Sequence, residues 1–251
     1  MKTERTTLTR RRFLQMSGVA AAALTVGNLP QRVRAAATAA EKMHIGIIGS
    51  GNVGSALGTV WTRAGHTVMF SSRHLEANQA LAARVGANAR AGTPHDAAAF
   101  GEVLLFAVPY GALPELGASL ADVIKGKVAI DACNPFPGRD GEIAIRARDK
   151  GAGLVSAELL PGARIVRAFN AVGANRMRTA HEQPQRIGMP IASDDAEAVE
   201  VASRLIRDIG YEPVLVGGLA MGRYLMPGTP LAGEHTPEEI RQIAANLKKS
   251  G

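Results

Sequence analysis

Residues 49–54 read Gly49-Ser50-Gly51-Asn52-Val53-Gly54, three glycines at the spacing GxGxxG. The apolar run Ile45-Gly46-Ile47-Ile48 precedes them directly, and a stretch of helical periodicity follows to Arg63. A strand that enters a helix through such a turn is suited to holding a pyrophosphate. The first glycine permits the tight turn, the second lets phosphate oxygens approach the backbone, and the third allows strand and helix to pack closely. Exposed amides and the positive end of the helix dipole attract the anion to that N-terminus. A glycine-rich turn without a ligand is the alternative, and the flanking strand, helix and second βα unit weigh against it.

The end of the second strand distinguishes the dinucleotides. A site for NAD places Asp or Glu about 20 residues past the glycines, where it accepts from the ribose 2′-hydroxyl. No acidic residue occurs between Ser55 and Leu75, and the strand instead ends Phe70-Ser71-Ser72-Arg73-His74. A guanidinium beside hydroxyls suits a 2′-phosphate, so Ser72 and Arg73 point to NADP(H). The alternative is an arginine on a solvated loop.

Three further strand ends should converge on the same place. Ala107-Val108-Pro109, Asn134-Pro135 and Asn170-Ala171 each follow an apolar run. Ligands in doubly wound sheets bind outside the carboxyl ends of the strands, at the switch point. Two asparagines there suit a carboxamide pocket, although asparagine can also cap a turn. No convincing acid–base group accompanies them. Tyr110 is adjacent by position and is expected to pack at a helix start, while His66, in a helix-to-strand turn, is expected to be structural. Such an absence fits chemistry supplied by cofactors, with the protein providing position.

These residues need a frame. Short β-branched runs (43–48, 67–70, 103–108, 127–131, 164–169, 186–191 and 213–216) alternate with helical patterns (52–63, 76–84, 113–122, 154–160, 174–179 and 196–209). Apolar runs of that length read as parallel strands buried on both faces. The alternation predicts an α/β protein with a doubly wound parallel sheet, a Rossmann NAD(P)-binding fold. A small C-terminal extension should follow, with Thr236-Pro237-Glu238-Glu239 opening its last helix. The expected divisions are residues 1–39 as a leader, 40–175 as the NADP-binding domain, and 176–251 as a C-terminal α/β extension and capping segment.

The formal charge of +7 across 251 residues suggests a nucleic-acid partner until it is located. Seven basic residues and one acidic residue lie in residues 1–39, leaving 22 against 21 in the remainder. The basicity belongs to the leader, and no case for nucleic acid is left. Within that leader, Thr9-Arg10-Arg11-Arg12-Phe13-Leu14-Gln15 resembles a twin-arginine export motif. A weakly apolar run and the small-x-small triplet Ala37-Thr38-Ala39 follow. Periplasmic or exported delivery is therefore expected, with no stable membrane span after processing. The lone Cys133 excludes an internal disulfide, and the six histidines show no metal-ligand spacing, so no metal site is expected.

The segments GIIGSGNVGSALG, FSSR, FAVPY, DACNP and RIVRAFNAV, in that order, make the chain similar to the NADPH-dependent coenzyme F420 reductase family. The same segments resemble the cytoplasmic reductase domain of membrane metalloreductases. The resemblance implies that Ser50, Asn52 and Val53 contact the pyrophosphate and that Ser72 and Arg73 hold the 2′-phosphate. It places Ala107, Val108 and Pro109 beside the nicotinamide ribose, and Asn134, Asn170 and Ala171 around the nicotinamide. Some members carry a lysine four residues after the arginine, where this chain has Ala77. The implied reaction is hydride transfer between NADP(H) and a flavin, a deazaflavin or a small unsaturated acceptor. Leu219–Leu231 could fold over the nicotinamide, and a homodimer is compatible with the chain. A non-catalytic NADP(H)-binding module, or a partner subunit that carries the cofactor, is the competing reading.

Overall fold

The computed structural model describes residues 42–250, so the leader expected over residues 1–39 lies outside it. From Lys42 onward the chain forms one compact unit. Among the described residues, eight strands join in one sheet: β1 (His44–Ile48), β2 (Thr67–Ser71), β3 (Ala89–Gly92), β4 (Val103–Phe106), β5 (Val128–Asp131), β6 (Arg164–Arg167), β7 (Ile187–Ala192) and β8 (Tyr211–Gly217). Their spatial order is β3-β2-β1-β4-β5-β6-β7-β8, so the direction of winding reverses between β1 and β4.

The helices are α1 (Asn52–Arg63), α2 (Leu75–Val85), α3 (Pro94–Phe100), α4 (Leu113–Ser119), α5 (Ala121–Ile124), α6 (Pro137–Asp140), α7 (Glu142–Lys150), α8 (Ala152–Leu159), α9 (Ala174–Thr179), α10 (Ala196–Asp208) and α11 (Pro237–Ser250). Alternate residues of each strand serve opposite faces, as the period of two requires. Ile45 and Ile47 of β1 join a core with Leu57 and Trp61 of α1 and Leu205 and Ile206 of α10. Ile48 joins Leu104, Phe106 and residues of α3, α4 and α8 on the other face. A smaller cluster around Val214, Val216, Leu225, Leu231 and Ile240 seats α11. That helix opens as expected: the Glu239 amide donates to the Thr236 hydroxyl over 3.2 Å, and the Thr236 amide donates to the Glu239 carboxylate over 2.7 Å.

The fold is α/β with a mostly parallel sheet, as expected, and the sheet departs from parallel at a single pair of the described strands. β1 to β6 are parallel, but β7 runs antiparallel to β6, meeting it at Arg167 and Ala192, and β8 runs parallel to β7. A parallel crossover must carry the chain back along the whole sheet. The connection over 168–186, which includes the 6-residue α9, instead returns the chain to the end of the sheet where β6 finished, so β7 runs the other way. The expected elements also omit β3 and α3. Ala89-Arg90-Ala91-Gly92 has no β-branched residue and pairs only at the sheet edge with β2. Two of the expected strands end early, at Phe106 and Arg167, which frees Ala107–Pro109 and Phe169–Ala171 as loops.

Candidate dinucleotide-binding cleft

At the switch point a cleft of about 900 Å³ opens between the ends of β1, β2, β3 and β4. The glycine turn forms its floor, and each glycine has a separate job. Gly49 has φ 104°, a left-handed conformation, and a Cβ there would lie 2.5 Å from the Ala107 carbonyl oxygen. A Cβ on Gly54 would come within 2.0 Å of the Gly49 carbonyl oxygen, so this glycine lets helix and turn touch. Gly51 is different: a Cβ there meets nothing within 4 Å. The open space over Gly51 is where a ligand can approach the backbone.

The amides around it are sorted by use. Gly49 and Ser50 donate to the Ser71 carbonyl at 3.0 and 2.9 Å, which ties the turn to β2. Ser71 is buried and its hydroxyl donates to the Ile47 carbonyl at 2.6 Å, bracing the same two strands. The α1 ladder begins with Ser55 donating to Gly51. The earlier amides of that helix have no intrahelical acceptor and offer themselves to an anion.

Ser72 and Arg73 line the same cleft at the end of β2. Ala107, Val108 and Pro109 form the facing wall. Asn52 is exposed at the helix start, and Val53 packs partly against the core. Asn134, Asn170 and Ala171 are outside the lining of this cleft but form a cluster of their own. The Asn134 amide donates to the Asn170 carbonyl at 2.9 Å, and the Asn170 amide donates to the Cys133 carbonyl at 3.3 Å. The loops after β5 and β6 are thereby laced together. Asn170 Oδ1 is buried and has no hydrogen-bond partner. The Ala171 carbonyl accepts from Gly233 at 2.9 Å, so the C-terminal segment reaches this end of the sheet. Phe169 turns the chain there with φ 65°, an unfavourable value for an aromatic residue. The edge-on rings of Trp61 and Tyr211 hold it, at centroid distances of 6.0 and 6.1 Å.

Several residues at the site were not visible in the sequence reading. Asn78, buried at the start of α2, accepts hydrogen bonds from both Ser50 and Ser72. Thr93, Pro94 and His95 bring the β3–α3 loop into the cleft. Thr93-Pro94-His95-Asp96 is a capping box of the kind recognised at Thr236, and that signal could have found them. At the far wall, Asp140 binds Arg139 and accepts from the Phe136 and Gly111 amides at 3.0 and 3.2 Å. Burial would raise its pKa, but Arg139 and the two amides outweigh burial and hold the carboxyl below its ordinary value. Beneath the Asn134–Asn170 cluster, Arg167 and Asp131 form an ion pair with both side chains fully buried.

Tyr110, Cys133 and His66 are engaged within the fold. The Tyr110 hydroxyl is buried and donates to the Ala152 carbonyl at 2.8 Å, and burial raises its pKa further. Burial likewise pushes the Cys133 thiol well up, and that thiol faces the Phe106 carbonyl. His66 accepts from the Met43 amide through Nδ1 and donates from Nε2 to Asp208 at 3.0 Å, which is a structural role. Among the described residues no group of three or more His, Cys, Asp or Glu could hold a metal ion. No helix there is long and apolar enough to cross a membrane.

Residues 44–135 match the family described as NADP oxidoreductase, coenzyme F420-dependent. Over 203 residues the chain is 33% identical to the F420-dependent NADP reductase of Methanothermobacter thermautotrophicus, covering 75% of this chain and 87% of that protein. The chain belongs to this family. It is accordingly an NADP-dependent oxidoreductase. It is also 28% identical over 186 residues to metalloreductase STEAP3 of Rattus norvegicus, covering 73% of this chain and 36% of that protein. A solved structure of a hypothetical protein from Sinorhizobium meliloti matches with a TM-score of 0.67 and 27% identity, covering 78% of this chain and 96% of that one.

Proposed function

We propose that this family member transfers a hydride between NADP(H) and a deazaflavin of the coenzyme F420 type, or a flavin. The observation that carries the reading is the asymmetry of the cleft. Its β2 end has a serine and an arginine where an NAD site has a carboxylate. At the other end, Tyr110 and Cys133 are buried and engaged elsewhere, and the Asp140 carboxylate is held by Arg139. An acceptor that takes a hydride into its own ring system needs positioning more than a protein acid.

The residues present fit the dinucleotide. The free amides at Asn52 and Val53, with the Ser50 hydroxyl, would hold the pyrophosphate over Gly51. Ser72 and Arg73 would hold the 2′-phosphate, and Ala107, Val108 and Pro109 would flank the nicotinamide ribose. Asn170 Oδ1, buried without a partner, suits the N–H of a carboxamide, with Asn134 and Ala171 completing that end. The nicotinamide supplies the hydride, and the protein orients its ring and excludes water. The length of the match also supports an enzyme over a binding module, since a named reductase spans nearly the same chain. The test follows NADPH oxidation optically with coenzyme F420, FMN, FAD and a small activated alkene as separate acceptors. Reduction of the deazaflavin or a flavin supports the reading. Tight NADPH binding with none of the four reduced would assign the chain as a cofactor-holding module.

Export belongs to the same proposal. Residues 1–39 would carry the folded chain across a membrane with its dinucleotide already bound, because a ligand at a hundredfold excess over Kd adds about 2.7 kcal/mol to the native state. Fractionation of cells expressing the wild type and an Arg10→Lys, Arg11→Lys double mutant checks this. Unaltered periplasmic delivery of the mutant counts against the twin-arginine route.

A further inference from the structure

Asn78 is 1% exposed and lies beneath the cleft, at the fourth position of α2. Its carboxamide joins two parts of the site that are far apart in sequence. The Ser50 hydroxyl of the glycine turn donates to Asn78 Oδ1. The Ser72 hydroxyl donates to the same oxygen at 3.0 Å, closer than its other acceptor, the His74 carbonyl at 3.4 Å. Asn78 Nδ2 is buried with no hydrogen-bond partner.

A serine hydroxyl has one hydrogen to give and two lone pairs. With both hydrogens directed at Asn78 Oδ1, Ser50 and Ser72 present only lone pairs to the cleft. Lone pairs repel phosphate oxygens, which need donors. Rotating the carboxamide half a turn about its terminal bond exchanges an oxygen for an NH2 of similar size, which has two hydrogens. One hydrogen can reach each serine. Ser72 Oγ already accepts from the His74 amide at 3.1 Å. A second bond, from Asn78 Nδ2, would fill its remaining lone pair. The hydroxyl hydrogen is then left to point into the cleft. The same turn gives Nδ2 its partners and moves the unpaired place to Oδ1.

We propose that Asn78 is a positioning residue for NADP(H): by turning its carboxamide it makes Ser50 and Ser72 hydrogen-bond donors together, one toward the pyrophosphate and one toward the 2′-phosphate. This rests on the cofactor placement proposed above. It couples the two phosphate sites through a side chain that touches neither.

The test compares Asn78→Asp with Asn78→Ala in the full mature chain, titrating NADPH and NADH by calorimetry. Aspartate keeps the shape but accepts only, so it holds both hydroxyl hydrogens away from the phosphates. Alanine leaves a small gap but frees both serines to donate. The proposal expects Asn78→Asp to weaken NADPH binding about ten-fold or more, and more than Asn78→Ala does. It also expects the loss to be larger for NADPH than for NADH. A carboxylate also repels phosphate by its charge, so Asn78→Asp is repeated in a Ser72→Ala background: the proposal expects its effect to shrink there by about three-fold or more, and an unchanged effect would overturn it. Should Asn78→Asp fail to fold, a cycle of Ser72→Ala and Asn78→Ala decides: coupling of about three-fold or more in NADPH affinity is expected, and additivity overturns it. Arg73→Ala is the control. If it leaves NADPH affinity intact, the cofactor placement fails and the proposal falls with it; if it weakens NADPH while the Asn78 order is reversed, the role of Asn78 alone falls.

Discussion

Arg167 Nη1 lies 2.6 Å from Asp131 Oδ2, across adjacent parallel strands, with both side chains wholly buried. The same guanidinium donates to the Gly222 carbonyl at 3.3 Å and to Asn134 Oδ1 at 3.4 Å. One side chain therefore ties the sheet to the C-terminal segment and fixes which way Asn134 faces. Gly222 has to be glycine for this approach, since a Cβ would come 2.7 Å from Arg167 Cδ.

Removing one partner of that pair strands a charge in the core. Arg167→Met should destabilise the fold by about 3–5 kcal/mol. Adding Asp131→Leu should restore much of the loss, since a buried ion pair can be replaced by apolar side chains of similar volume. Urea denaturation of the two variants measures both. A single variant as stable as wild type would show that the pair is not holding this corner.

The second prediction concerns the choice of dinucleotide. Arg73→Ala should lower NADPH affinity by about ten- to a hundred-fold, the value of a charge-assisted contact of about 1.5–3 kcal/mol. NADH affinity should barely change, because it has no 2′-phosphate. Calorimetric titration with both cofactors checks this, and equal wild-type affinities for the two would refute it.

Glycines in the turn should fail in different ways. Gly51→Val adds a side chain where nothing stands within 4 Å, so the protein should fold normally and lose NADPH binding. Gly54→Ala places a Cβ 2.0 Å from the Gly49 carbonyl oxygen, so it should lower stability itself, by about 1–3 kcal/mol. Circular dichroism melts alongside binding titrations separate the two. Normal NADPH binding by Gly51→Val would show that the pyrophosphate lies elsewhere.

Acid should weaken the fold through His66. Burial lowers its pKa below the ordinary 6.5, outweighing the Asp208 hydrogen bond and charge that act to raise it. The neutral ring is the native form, accepting from Met43 and donating to Asp208. Below about pH 6.5 the unfolded chain binds a proton that the native state resists, so stability falls as pH drops from there toward the lowered native pKa. His66→Gln should flatten that part of the profile. Denaturation midpoints measured between about pH 8 and pH 5 test it, and identical slopes for the two proteins would remove His66 from the account.

Much of the frame around the cleft is legible in the sequence because it is local. The glycine turn, the strand before it and the helix after it lie within twenty residues, and their conformations follow from local backbone geometry. Ser72-Arg73 and the missing carboxylate were read at a fixed distance along one βα unit, and the cap at Thr236 from four consecutive residues. Packing decided the rest. β3 has no strand-forming side chains and exists because β2 offers it an edge, while nothing in the residues of β7 marks its reversal. Asn78 meets Ser50 across 28 residues of chain, and Arg167 meets Asp131 across 36. A carboxamide or an arginine has no pattern that names its partner at such separations. Only the stacking of strands and helices brings the groups together, and burial then makes each of their hydrogen bonds count.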